Sequence, residues 1–278
     1  MQAASHPLYL WKIESPTARV FIAGSFHTMK PGLVSVPKQF DQALAQSDTI
    51  VVESNISSRE TEEKTKKFIQ AHGMVPADKS LLYFITGETY RKLQHRCTKL
   101  GKDISPLMRL KPTLVASYIT ATQIEQLGFS RQHGLEQYCL SRASGRKIIE
   151  LEEPEDQYPF CKVSNYTQGE YLAEVLNGGL DKSAQNVEKF AEMWNSGNDE
   201  AILNSFCSSY SHATQKRIGD ETRARNEKMA KKIEALLQKQ GTYFFLPGCI
   251  HTLGKESVIE KLQKRGFSST RYNSTDEV

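Results

Sequence analysis

The chain has 278 residues, 36 of them basic and 32 acidic, with a formal charge of +4 and a pI of about 8.7. That length can bury a substantial core as one large domain. The interspersed charges form no dense Lys/Arg stripe for nucleic acid, and no apolar run is long enough for an integral membrane segment.

Five cysteines, Cys97, Cys139, Cys161, Cys207 and Cys249, are odd in number and form no C-x-x-C pair. This argues against a disulfide framework or a thiolate zinc site, and leaves room for one or two bridges. No charged stretch followed by an apolar one opens the chain. Met1 to Pro7 reads either as a true start or as a mature end left by leader removal.

Short runs of Val, Ile and Phe predict buried strands at Arg19 to Gly24, Thr49 to Ser54, Lys147 to Glu152 and Thr242 to Gly248. A weaker strand is expected from Ser268 to Tyr272. Helices are predicted over Pro37 to Ser47, Glu88 to Leu100 and Pro106 to Leu127, with Pro112 starting or kinking the last. Others follow at Leu135 to Ala143, Tyr171 to Leu176 and Val187 to Trp194. Asp220 to Gln240 carries Met229, Ile233, Leu236 and Leu237 at helical spacing. Lys255 to Arg265 stops at Gly266. Strand, helix and strand, then a helix-rich centre, predict an α/β domain. It has a central mixed sheet, flanking helices and a helical insertion over roughly residues 55–145.

One motif occurs twice. Gly24-Ser25-Phe26-His27-Thr28 and Gly248-Cys249-Ile250-His251-Thr252 both read G-x-x-H-T, and both follow an apolar strand. Ligands of open α/β sheets bind beyond the carboxyl ends of parallel strands. His27, Glu53, Glu152 and His251 all lie at such ends and can meet there. Two imidazoles with a carboxylate can hold a catalytic divalent metal, zinc as His2Glu, or manganese or cobalt in carboxylate-rich sets. Without metal, one histidine can serve as general base, oriented by a carboxylate. The competing readings are structural: turn histidines packed for their own sake, and Glu53 and Glu152 as capping or ion-pairing groups.

Arg225 and Asn226 flank the apolar face of the Asp220 to Gln240 helix, where they can orient a substrate or a carboxylate, or join a structural network. Cys249 can be a thiol nucleophile or, more simply, a small buried hydrophobe. Among the other histidines, His133 stands out because Gly134-Leu135-Glu136-Gln137-Tyr138 follows it.

Taken in order, LWKIESPTARVFIAGSFHTMKPG, DQALAQSDTIVVES, HGLEQYCLSRASGRKIIELEEPEDQ and the closing RARNEKM…GCIHTLGKESVIEKLQKRGF resemble the TraB/GumN family. The shared features are a tryptophan-lysine strand, a G-S-x-H turn, an acidic strand end, a G-[IVL]-[DE] helix, an Arg-Asn helix and a second G-x-x-H. The resemblance implies a fold shared with Tiki metalloproteases and, more distantly, with erythromycin esterases and ChaN-like haem-binding proteins. It implies a metal-dependent hydrolase acting on a peptide or protein substrate at a peptide or related carbonyl bond. His27, Glu53 and His251 would hold the metal, Glu152 would join the catalytic group, and Arg225 and Asn226 would bind substrate. The open alternatives are a haem or iron binder and a metal-independent esterase-type hydrolase. The resemblance favours a periplasmic or secreted location; the odd cysteine count and missing leader leave the cytoplasm open.

Overall fold

The computed structural model describes residues 6–33, 35–207 and 210–278, without the side chains of 179, 180, 182–184, 186, 206 and 207. The first five residues and the Cys207 side chain therefore lie outside it. Cys97, Cys139, Cys161 and Cys249 are buried free thiols.

Six strands form one mixed sheet: β1 Pro7–Glu14, β2 Ala18–Ala23, β3 Thr49–Val52, β4 Lys147–Glu150, β5 Gly241–Leu246 and β6 Ser269–Asn273. Their spatial order is β4-β3-β5-β2-β1-β6. The four strands from β4 to β2 run parallel, and β1 is antiparallel to both β2 and β6. Each of the five expected strands is present. β1 was not expected from patterning, because PLYLWKIE has a single β-branched residue. It was named only through the resemblance.

The central strands are buried on both faces, which is why they read as continuous apolar runs. Phe21, Ile22, Ile50, Val51, Phe244 and Phe245 are all fully enclosed. Enclosing each such side chain is worth about 1.5–3 kcal/mol relative to leaving it in water.

The helices are α1 Lys38–Ala45, α2 Arg59–Phe68, α3 Gly87–Lys99, α4 Pro112–Gln126, α5 Leu135–Leu140, α6 Pro154–Gln157, α7 Asn165–Glu174, α8 Leu180–Ser196, α9 Asp199–Cys207, α10 His212–Leu237 and α11 Val258–Lys264. Their starts follow local chemistry. Pro112 opens α4 rather than kinking it. Ser211 caps α10 through the Thr214 amide, so the helix begins at His212, eight residues before the expected start. A second apolar cluster joins Leu93, Cys97, Val115 and Ile119 to Leu172 and Val175. The helical body thus draws on chain from both sides of β4, and extends past the 55–145 stretch.

Candidate active site

The four parallel strands deliver their carboxyl ends to one edge, and the two G-x-x-H turns arise there side by side. The β2–β5 pairing continues into them. The Ser25 amide donates to the Pro247 carbonyl at 2.8 Å, and the Cys249 amide to the Ser25 carbonyl at 2.9 Å. Trp194 of α8 pins the end of β2 by donating its indole N–H to the Gly24 carbonyl at 3.1 Å. A Cβ on Gly24 would meet Tyr9, Cys249 and Thr252 at 3.1–3.3 Å, so glycine lets the crossing pack this closely without its neighbours giving way.

The two imidazoles sit in different surroundings. His251 is 2% exposed, whereas 56% of the His27 side chain is open. Burial pushes the His251 imidazole down to about 4. The Glu136 carboxylate beside His27 raises that ring to about 9, against the effect of burial. His27 Nδ1 lies 2.6 Å from Glu136 Oε1, and the same oxygen accepts a hydrogen bond from the Ser25 hydroxyl. At neutral pH the first turn therefore carries an imidazolium and the second a neutral ring.

Asn226 sets the tautomer of that neutral ring. Its Nδ2 donates to the Glu256 carbonyl at 2.8 Å, which turns Oδ1 toward His251 Nδ1 at 2.5 Å. An amide oxygen only accepts, so Nδ1 carries the proton and Nε2 presents a bare lone pair. That lone pair faces Glu53 Oε1 at 3.6 Å. His27 Nε2 lies on the same side of the turn: a Cβ on Gly248 would stand 2.9 Å from it and 3.5 Å from Glu53 Oε1.

Burial opposes ionisation of Glu53. The neighbouring histidines, Arg225 and the Gly248 amide outweigh it and hold the carboxyl down at about 2. The Gly248 N–H donates to Oε1 at 2.6 Å, and Arg225 Nη2 to Oε2 at 2.9 Å. Arg225 also grips Glu152 in a fork, Nε to Oε1 at 2.7 Å and Nη2 to Oε2 at 2.8 Å. Burial raises the Glu152 carboxyl even with that partner in place. Glu152 contacts Arg225, and neither imidazole. Burial works against the charge of Arg225, but the two carboxylates keep its guanidinium firmly protonated.

All six expected site residues are thus in one neighbourhood, in two layers. His27, His251 and Glu53 converge; Glu152, Arg225 and Asn226 support them. Sequence reasoning left out Glu136 as a site residue. Its signal was present in HGLEQ: Gly134 is required because a Cβ there would run into the His27 carbonyl, and Glu136 follows two residues later. Burial of the Cys249 thiol pushes it well above the ordinary thiol range, which disfavours a nucleophilic thiolate. His133 lines a separate surface hollow with Tyr138 and Arg142.

The donor types at this edge, two imidazoles and a carboxylate, are ones that divalent ions use. Both Nδ1 atoms are held by partners, as is usual for imidazole ligands, and a bare nitrogen lone pair faces a carboxylate with no proton between. Among the described residues no three His, Cys, Asp or Glu side chains are placed so that they could hold a metal ion. The oxygens of Glu53 are taken by Gly248 and Arg225 instead.

A cavity of about 550 Å³ opens over this floor, bordered by His27, Arg225, Gly248 and His251. No helix among the described residues is long and apolar enough to cross a membrane.

The family model described as TraB/PrgY/gumN family matches residues 9–271. A sponge protein, the metalloprotease TIKI homolog of Amphimedon queenslandica, is 21% identical over 99% of this chain and 63% of its own length. The protein YbaP of Escherichia coli K12, described as uncharacterized, is 29% identical over 54% of this chain and 55% of its own. Its Shigella flexneri counterpart is 28% identical over 49% of each chain. The alignments thus span about half to three-fifths of the relatives' own lengths. No solved structure matches.

Proposed function

We propose, on the premise that this chain belongs to the TraB/PrgY/gumN family, that it is a metal-dependent hydrolase of a peptide or related carbonyl bond. The likeness to a protein described as a metalloprotease supports that class. One observation carries the reading: the unprotonated Nε2 of His251 faces Glu53 Oε1 at 3.6 Å, with His27 Nε2 beside them. The free Nε2 lone pair of His251 is the atom a metal would meet first; at His27 and Glu53 the ion would take the place of the ring proton and of the Gly248 and Arg225 hydrogen bonds that hold them now.

His27 and His251, through Nε2, and Glu53 would hold a divalent ion such as manganese, cobalt or zinc. Such an ion supplies Lewis acidity toward a carbonyl oxygen and acidifies water. The remaining work falls to the chain. Glu136 and Asn226 keep both imidazoles turned to the cavity. Arg225 helps keep Glu53 ionised and grips Glu152, and its Nη1 has no hydrogen-bond partner among the described residues. Arg225 borders the cavity, so Nη1 can donate to the substrate oxygen on which negative charge develops.

The test is protein stripped of metal and reloaded singly with manganese, cobalt or zinc, assayed on a peptide library. Metal content is measured alongside. Stoichiometric metal uptake and turnover, both lost in His27→Ala, are expected. Equal turnover by His27→Ala would overturn the reading. Turnover indifferent to chelators would leave a hydrolase but remove the metal.

A further inference from the structure

The walls of the cavity differ in kind from its floor. Phe26 meets Phe190 edge to face, ring centroids 4.1 Å apart. Phe160 and Tyr171 stack at 5.5 Å with planes 5° apart, and Tyr210 leans on Tyr171 at 5.9 Å. Ile218 of α10 adds to the same lining. Apart from Phe26 these side chains are only half-buried. In a chain whose sheet core is closed, apolar surface kept around a cavity is held ready for apolar contact.

The charges in the cavity are already satisfied. Arg225 is matched by Glu53 and Glu152, and His27 by Glu136. Each cation among the described residues of the lining already faces a carboxylate, so an acidic substrate side chain would have to compete with Glu53, Glu152 or Glu136. Glu221 is the remaining charged residue of the lining, and it offers the one electrostatic alternative, a basic side chain.

We propose that this cavity selects a substrate carrying a bulky apolar side chain, aromatic or branched aliphatic, next to the carbonyl that reaches the histidine floor. The inference rests on the hydrolase reading and deepens it. A volume of about 550 Å³ falls within the usual range for small-ligand sites and admits one such side chain with its flanking backbone. The walls come mainly from the chain between β4 and β5, through Phe160, Tyr171, Phe190, Tyr210 and Ile218. Selectivity is therefore written in a different segment from the strand ends that bear the chemistry.

The experiment measures binding of single-residue probes to the full chain. N-acetyl methylamides of phenylalanine, leucine, alanine, glutamate and lysine are titrated and followed by NMR. The phenylalanine and leucine probes are expected to bind about tenfold or more tightly than alanine, the size of effect an apolar pocket gives. Phe160→Ala and Ile218→Ser should each shrink that ratio to about threefold or less. Equal binding of phenylalanine and alanine overturns the proposal, as does tightest binding of the glutamate or lysine probe. If both variants fail to fold, the wild-type ratio decides alone. Apolar preference without any peptide hydrolysis keeps the pocket and sinks the hydrolase; hydrolysis indifferent to the side chain does the reverse.

Discussion

The imidazole of His27 rests on the backbone of the other histidine turn: a Cβ at Gly248 would stand 2.9 Å from its Nε2. Glycine is needed there for space and not for conformation, since Gly248 has φ −54°, which any residue adopts. Gly248→Ala is therefore expected to fold with nearly unchanged thermal stability. Its methyl pushes aside the half-open His27 ring, and a displacement of this size should lower kcat about 100-fold. Thermal melts and steady-state kinetics check this. A large loss of stability would show that the close approach is structural instead.

The two histidines give opposite pH dependences to the stability of the metal-free protein. His27 is raised to about 9 from an ordinary 6.5, so its contribution is whole below 6.5 and is lost as pH climbs through 9. His251 is lowered to about 4, so its contribution is whole above 6.5 and is lost as pH falls through 4. Glu53, held at about 2 against an ordinary 4.5, adds a further loss at stronger acid. Stability should peak near 6.5, with a shallow alkaline limb because 56% of the His27 side chain is open to screening water. In Glu136→Gln the His27 ring should titrate back toward the ordinary imidazole range, and the alkaline limb should vanish. Ring-proton NMR and urea unfolding across pH provide the check. An unmoved His27 titration would remove Glu136 as its partner.

Arg225 neutralises two buried carboxylates, so removing it should cost far more than a surface ion pair. Arg225→Leu is expected to destabilise the fold by about 3 kcal/mol, since it leaves buried charge uncompensated. Adding Glu152→Gln in the same chain should recover part of that loss, because the two residues share one network. Urea unfolding of the single and double variants measures the coupling. Additive losses would mean that the fork is not energetically joined.

Glu256 works through its backbone. It has φ 65°, one of two non-glycine residues in the left-handed region among those described, and its carbonyl holds Asn226 in place for His251. Glu256→Gly should keep the turn and most activity, although the ion pairs to Lys261 and Lys264 are lost. Glu256→Val, which resists positive φ, should destabilise by about 1–3 kcal/mol and lower kcat. The ordering of the two variants is what matters. If glycine is as damaging as valine, the side-chain ion pairs carry the role.

Much of the sheet and of the site is legible in the sequence. β2, β3 and β5 are buried on both faces, and that burial writes itself as unbroken apolar runs in the chain; β4, at the sheet edge, is only half-buried. The repeated G-x-x-H-T, the strand-end Glu53 and Glu152 and the Arg225-Asn226 pair were visible for the same reason: each is tied to a strand end or a helix face. β1 was missed by patterning because its buried face is built of Leu, Tyr and Trp rather than β-branched residues.

What local pattern determined, then, was which side chains reach the carboxyl edge of the sheet, because strand direction and burial are encoded residue by residue. Their division of labour came only with the tertiary structure. The sheet order seats β2, β3 and β5 as neighbours, α5 brings Glu136 to His27, and α10 turns Arg225 to the carboxylates and Asn226 to His251. Two copies of one motif thereby become a charged, accessible imidazole and a neutral, buried one. The difference lies in the partner and the depth of each ring, which depend on contacts between residues far apart in the chain.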